Sequence, residues 1–145
     1  MFISNLTDRG AGPALINTLV FNQARLKAIA ENVANANTPG YRAKSLDPRS
    51  FQTALRKALD DRGGDPNKPL VIKDTGQVKT DGSGSLRVTP SETPVGNVLF
   101  HDGTNTSIER EMADLAETGM TQELASTLLR GRFDALRKAI RGTVG

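Results

Sequence analysis

The eleven residues from Glu31 to Tyr41, read E-N-V-A-N-A-N-T-P-G-Y, fix where the first long element of this chain must stop and turn. Their first half closes an amphipathic helix, with Val33 on an apolar seam and Ala30, Ala34 and Ala36 offering small surfaces for close packing. Their second half ends it. Pro39 has no backbone N–H and drives Thr38 out of the α region. Thr38-Pro39-Gly40-Tyr41 then fits a type II turn, proline fixing φ at the second position and glycine supplying positive φ at the third.

Upstream of that stop the apolar seam runs through Leu15, Leu19, Asn22, Leu26, Ile29, Val33 and Ala36. Steps of four and three are the spacing of a coiled-coil seam, and an ordinary amphipathic helix on a globular core shows much the same pattern. Asn22 interrupts the seam; a buried asparagine there fixes register at some cost in stability. Residues 1–12 read as a flexible lead closed by Gly10, Gly12 and Pro13. Beyond the turn, Asp47 as N-cap and Pro48 at the first helical position start a shorter helix. Phe51, Leu55, Ala58 and Leu59 share one of its faces, and Asp60 to Gly64 end it.

From Asp61 to Thr104 glycine and proline recur, with short β-like runs at Leu70-Val71-Ile72, Leu86-Arg87-Val88 and Val98-Leu99-Phe100. This composition suits weak β-hairpins ordered only by contact with neighbouring chains.

The last element is the longest. Thr106 with Glu109 reads as a capping box. Ile108, Met112 and Leu115 open a seam that passes through Gly119, Gln122 and Ser126 and turns apolar again at Leu129, Phe133, Leu136 and Ile140. A second stripe, Met120, Leu124 and Leu128, crosses the polar gap. Acidic residues crowd the start and basic ones the end, as the helix macrodipole favours, and Gly142 is a stop.

Two helices of unequal length at opposite ends of the sequence pack most simply as an antiparallel pair with the middle looped out. The fold class expected is therefore mainly α: an elongated, coiled-coil-like antiparallel pair of N- and C-terminal helices around a Gly/Pro-rich, irregular or weakly β middle. Its parts are residues 1–41, 42–104 and 105–145. Only 4% of residues are aromatic and none is tryptophan, which is thin for a self-sufficient core. The surplus apolar surface of the longer helix must then meet another molecule.

Little in the chain reads as reaction chemistry. Cysteine is absent, so neither a disulfide framework nor a thiolate metal site is available. His101 is the only histidine and has no spaced ligand set around it. Asp74-Thr75-Gly76 has the form of an aspartic-protease triplet, but Lys73 precedes it and no second carboxylate or apolar wall accompanies it. No catalytic, cofactor-binding or metal-binding residue is named, and no enzyme, cofactor, small-molecule substrate or nucleic-acid partner is expected. The net charge of +3 permits a small basic helical adaptor binding nucleic acid as the alternative from another class. The basic end of the last helix carries only Phe133 among its charges, and a solvated helix end explains it as well. The N-terminal residues lack the basic and apolar regions of a cleaved signal peptide.

The opening stretch resembles the N-terminal signature of the flagellar axial proteins, the rod, hook and hook-junction family, written A-N-N-x-A-N-x-x-T-P-G-Y. Asn32, Ala34, Asn35, Thr38, Pro39, Gly40 and Tyr41 match it, while Glu31 departs from it. Asn105 to Thr118 and Leu128 to Ile140 are similar to the C-terminal helix of the proximal-rod members, with Gln122 where a tyrosine is frequent. The resemblance implies a structural subunit of the proximal rod that assembles helically through its terminal helices and transmits torque; another rod subunit is the alternative within the family. It implies as partners other copies, other rod proteins, the rod-base adaptor, the membrane ring and the type III export apparatus. It places the chain in the basal-body rod of the periplasmic space, exported without a cleaved signal.

Overall fold

The computed structural model describes residues 10–65, 67–92 and 108–142. In chain order these form helix α1 (Gly12–Ala34), strand β1 (Lys44–Ser45), helix α2 (Pro48–Arg62), strands β2 (Val78–Thr80), β3 (Leu86–Val88) and β4 (Ser91–Glu92), and helix α3 (Ile108–Arg141). The chain is mainly helical, with its terminal helices packed on each other and short strands between them. Thr106, Asn105, His101 and the run Val98–Phe100, singled out from sequence, lie outside the described residues, as do residues 1–9 of the N-terminal lead.

Helix α1 stops as its sequence dictates. Asn35 caps it at the C-terminal end, and Thr38-Pro39-Gly40-Tyr41 closes a turn through Tyr41 N–H to the Thr38 carbonyl at 3.1 Å. Gly40 there takes φ 75°, the left-handed value that a side chain disfavours. Helix α2 begins with the Asp47 carboxylate accepting from Arg49 N–H at 2.9 Å, Pro48 occupying its first position, and Gly63 ends it at φ 65°. Buried Arg62 at its last turn donates to the carbonyls of Asp65 and Gly10, tying the helix end to the approach into α1.

The core is small and lies between α1, α2 and the middle segment. It consists of Phe21, Leu46, Phe51, Ala58, Leu70, Ile72 and Val78. The rings of Phe21 and Phe51 stack with centroids 4.2 Å apart, so one face of α1 is fixed on α2 by the pair of aromatics.

The middle differs from the sequence reading in two respects. Leu70-Val71-Ile72 is extended but forms no strand: Leu70 and Ile72 are buried and Val71 points out, with Ile72 and Thr80 exchanging hydrogen bonds at a single place. The β2–β3 hairpin pairs Val78 with Val88 and Thr80 with Leu86, and Val78 enters the chain's own core. Its order therefore comes from inside the molecule rather than from neighbours alone. The hairpin loop is held by the Asp81 carboxylate, which accepts from the N–H groups of Ser83 and Ser85. Hydrogen bonds from Ser83 and Ser85, with Arg87 alongside, lower its pKa to about 2. Strand β1 pairs antiparallel with β4, Lys44 opposite Glu92, and the Gln77 amide bridges Ser45 to Asp47 beside them.

Candidate assembly interface

The contact between the terminal helices is built from polar residues. Asn22 donates to the Thr121 hydroxyl at 3.2 Å, and Arg25 reaches Glu117 at 3.0 Å and Asp114 at 2.9 Å. Asn32 donates to Glu111 at 3.0 Å. Partner numbers fall along α3 as they rise along α1, so the pair is antiparallel. At its far end Gly10 lies against Arg132, where an added Cβ would come within 3.1 Å of the guanidinium. Residues of α3 beyond Arg132 therefore run past the start of α1. That follows from length, about 35 Å for the 23 residues of α1 against about 51 Å for the 34 of α3.

Asn32 is the hub. It is 2% exposed and uses all its hydrogen-bonding capacity. Its amide nitrogen donates to the Lys44 carbonyl at 2.8 Å as well as to Glu111, and its oxygen accepts from Lys44 N–H at 3.0 Å and from the Tyr41 hydroxyl at 3.1 Å. The reciprocal bonds to one backbone unit fix which way the amide faces. One side chain thus fastens α1, the turn after it, β1 and α3. Asn35 closes the rest of the motif locally, donating to the Glu31 carbonyl, while its own carbonyl accepts from Thr38 N–H. The motif residues Asn32, Asn35, Thr38, Gly40 and Tyr41 act together as a folded corner.

Burial shifts the titration of two groups at this corner. Partial desolvation raises the Glu111 pKa, the Asn32 hydrogen bond working against it and the neighbouring Asp114 charge with it. Tyr41 is raised as well, by burial first and then by the carboxylates of Glu31 and Glu111. Arg25, among the most buried charges described, is answered by two carboxylates that remain 38% (Asp114) and 60% (Glu117) in solvent. Breaking such a clamp costs less than breaking a fully buried pair, because water takes over the freed carboxylates.

The outer surface of α3 is the reverse. Thr118 and Ala125 are its buried residues, in line with half-buried Glu111, Asp114, Gln122 and Leu129. Ile108, Met112, Leu115, Met120, Leu124, Leu128, Phe133 and Ile140 stand on its flanks and outer face, from 37% exposed at Phe133 to 77% at Ile140. The line of closest approach to α1 is thus rotated from the apolar seam toward the small and polar residues, because Arg25 and Asn32 need carboxylates opposite them. Leu136 is half-buried. In α1 the positions read as seam are inside or half inside: Asn22 and Ile29 are buried, and Leu15, Leu19, Leu26 and Val33 are half-buried.

Sequence reasoning missed Phe21 as the core anchor and Arg25, Asp114 and Glu117 as the clamp. The signal for the clamp was present. Asn22, Arg25, Ile29 and Asn32 keep helical spacing, and Glu111, Asp114, Thr118 and Thr121 keep the same spacing with opposite charge. Asp74 turns out to cap its own turn by accepting from Gly76 N–H at 2.8 Å.

Two comparisons bear on this architecture. A family model described as flagella basal body rod protein matches residues 14–42, which are α1 and the corner that follows it. The flagellar basal body rod protein FlgB of Escherichia coli (strain K12) is 24% identical over 124 residues, covering 81% of this chain and 83% of the relative. Those of Shigella flexneri and Salmonella typhimurium are also 24% identical, with the same coverage. The matched helix and corner, with the likeness to these relatives over 81% of the chain, make this chain similar to the flagellar basal body rod proteins.

Proposed function

We propose that the chain is a structural, non-catalytic subunit of the bacterial flagellar basal-body rod, assembling helically through its terminal helices to transmit torque. Similarity to the rod proteins supports interaction with other rod and basal-body components and a place in the flagellum. The finer assignment is to the proximal rod in the periplasmic space, with the rod-base adaptor and the membrane ring as neighbours. Delivery is by the type III export apparatus without a cleaved signal. Of the seam positions read from sequence, the exposed ones on α3 serve as the packing surfaces of that assembly, while those of α1 hold the chain's own helix pair together.

One observation carries the reading. Helix α3 turns its polar face inward, onto Arg25 and Asn32, and leaves eight large apolar residues at least 37% exposed. Single exposed apolar residues are ordinary, but eight on two stripes of one helix mark surfaces that another protein covers. A contact between unlike patches that does not close on itself propagates as a helical filament.

Sedimentation velocity over a range of concentrations tests this. The unaltered chain is expected to form species that grow with concentration, and Met120→Lys/Leu124→Lys/Leu128→Lys is expected to stay monomeric with unchanged helical circular dichroism. A monomeric unaltered chain at all concentrations, or equal assembly by the variant, overturns the proposal.

A further inference from the structure

The loop after α2 brings the chain back along that helix. The Lys68 ammonium donates to the Asp61 carbonyl near one end of α2, and the Gln77 side chain accepts from Asp47 N–H at the other. Residues 70–75 between them therefore run antiparallel beside α2, with Leu70 and Ile72 turned into the core. Ile72 uses both of its backbone groups on Thr80, its N–H on the hydroxyl at 2.8 Å and its carbonyl on the N–H at 3.0 Å. In an extended chain the backbone groups of the residues on either side point to the opposite edge. The N–H and carbonyl groups of Val71 and Lys73 have no partner among the described residues. Both residues line a groove of about 440 Å³ whose other wall is the α2 flank at Arg49, Thr53, Ala54 and Lys57. An open strand edge beside a helix flank suits an extended peptide that adds as a further strand, its backbone giving affinity and its side chains specificity.

The groove also selects for charge. Its two carboxylates, Asp61 and Asp74, are answered by Lys73 at 3.2 Å and Lys79 at 3.9 Å, while Arg49 and Lys57 carry no ion pair among the described residues. The pair of Lys73 with Asp61 is exposed on both sides and opens at little cost. Eight helical steps set Arg49 and Lys57 about 12 Å apart along α2. Alternate residues of a strand share a face, so positions i and i+4 lie about 13 Å apart on it.

We propose that this groove binds an extended, acidic segment of a partner protein as an added strand, pairing with Val71 and Lys73 and setting carboxylates four residues apart against Arg49 and Lys57. The residue midway between the carboxylates lies over Thr53 and Ala54 and is small, and the alternate face carries apolar side chains beside exposed Val71. A second copy of this chain offers no such segment outside the described residues, since 1–9 and 93–107 hold one acidic residue each, Asp8 and Asp102. The groove lies on α2, apart from the exposed face of α3, so the inference extends the proposed function without resting on it.

The probe is fluorescein-labelled Glu-Val-Ser-Val-Glu-amide, titrated with the full chain and read by anisotropy, which serves whether or not the chain assembles. Saturable binding is expected, with hydrogen exchange at the Val71 and Lys73 amides slowed at saturation. Arg49→Glu/Lys57→Glu, two exposed positions whose change leaves circular dichroism unaltered, should weaken binding about tenfold, and so should glutamine in place of both probe glutamates. N-methylation of the three inner probe residues should abolish binding. Absence of saturable binding, equal binding by the glutamine or methylated probe, or unchanged exchange at Val71 and Lys73 overturns the proposal. A peptide of residues 93–107 that binds more tightly than the probe makes a second copy the occupant and overturns it too.

Discussion

Replacing Asn32 by alanine removes four hydrogen bonds at one point: two to the Lys44 backbone, one to Tyr41 and one to Glu111. Each net bond is worth about 1 kcal/mol, and a buried group left unsatisfied costs more than the average. The Tyr41 hydroxyl and Glu111 carboxylate are only half-buried and regain water, whereas the Lys44 amide and carbonyl both lose the buried asparagine as partner. The expected loss is therefore about 3 kcal/mol, a large part of the roughly 5–15 kcal/mol available to a domain. With a urea slope of about 1.5 kcal/mol/M, the unfolding midpoint followed by circular dichroism falls by about 2 M. Asn32→Asp keeps the shape and the acceptors but replaces two donors with a charge facing Glu111. It is expected to lose at least as much at pH 7 and to recover as the solution is acidified. A midpoint shift below about 0.5 M for the alanine variant, or an aspartate variant as stable as the parent at pH 7, would refute the role of Asn32 as hub.

Three other perturbations follow from the same geometry. Phe51→Ala removes one ring of the stack with Phe21 and leaves a cavity in a core of few residues; about 3–4 kcal/mol should be lost in denaturant unfolding. Gly40→Ala meets no atom within 4 Å, so its cost is the positive φ alone, about 1–2 kcal/mol, and a smaller effect would show that the turn relaxes. Glu111, whose folded pKa is raised, binds its proton more readily in the folded state, so its contribution is fully present below the ordinary glutamate range near 4.5 and is lost as pH rises through the folded value. As pH falls from neutral toward the ordinary glutamate range the parent should therefore gain stability relative to Glu111→Gln, which keeps an acceptor for Asn32; parallel pH profiles would contradict this. Asp81 works in the opposite sense, its contribution being lost only as pH falls from the usual carboxylate range toward about 2.

Much of the backbone course could be read from the residues. Pro39 and Gly40 fix the corner, Asp47 and Pro48 the start of α2, and the two long heptad patterns the terminal helices. What escaped reading was which face of each helix turns inward. An apolar pattern shows that a surface must be covered but not by what, and in α3 the clamp on Arg25 and Asn32 outweighs it. A charged residue at seam spacing reads as a solvated face unless its partner's pattern is read with it; here Arg25 and Asp114 lie 89 residues apart. The middle segment resisted for a different reason. Its order depends on a few buried side chains, Leu70, Ile72 and Val78, in a stretch whose composition otherwise favours loops.

The central claim is that α3 leaves an apolar surface for other copies to cover, and its methionines report this directly. Met112 and Met120 are 46% and 73% exposed in the single chain. Peroxide footprinting read by mass spectrometry should oxidise both rapidly in the free chain and protect both once rods have formed. Equal oxidation in free and assembled protein would mean that this face of the helix is not where subunits meet.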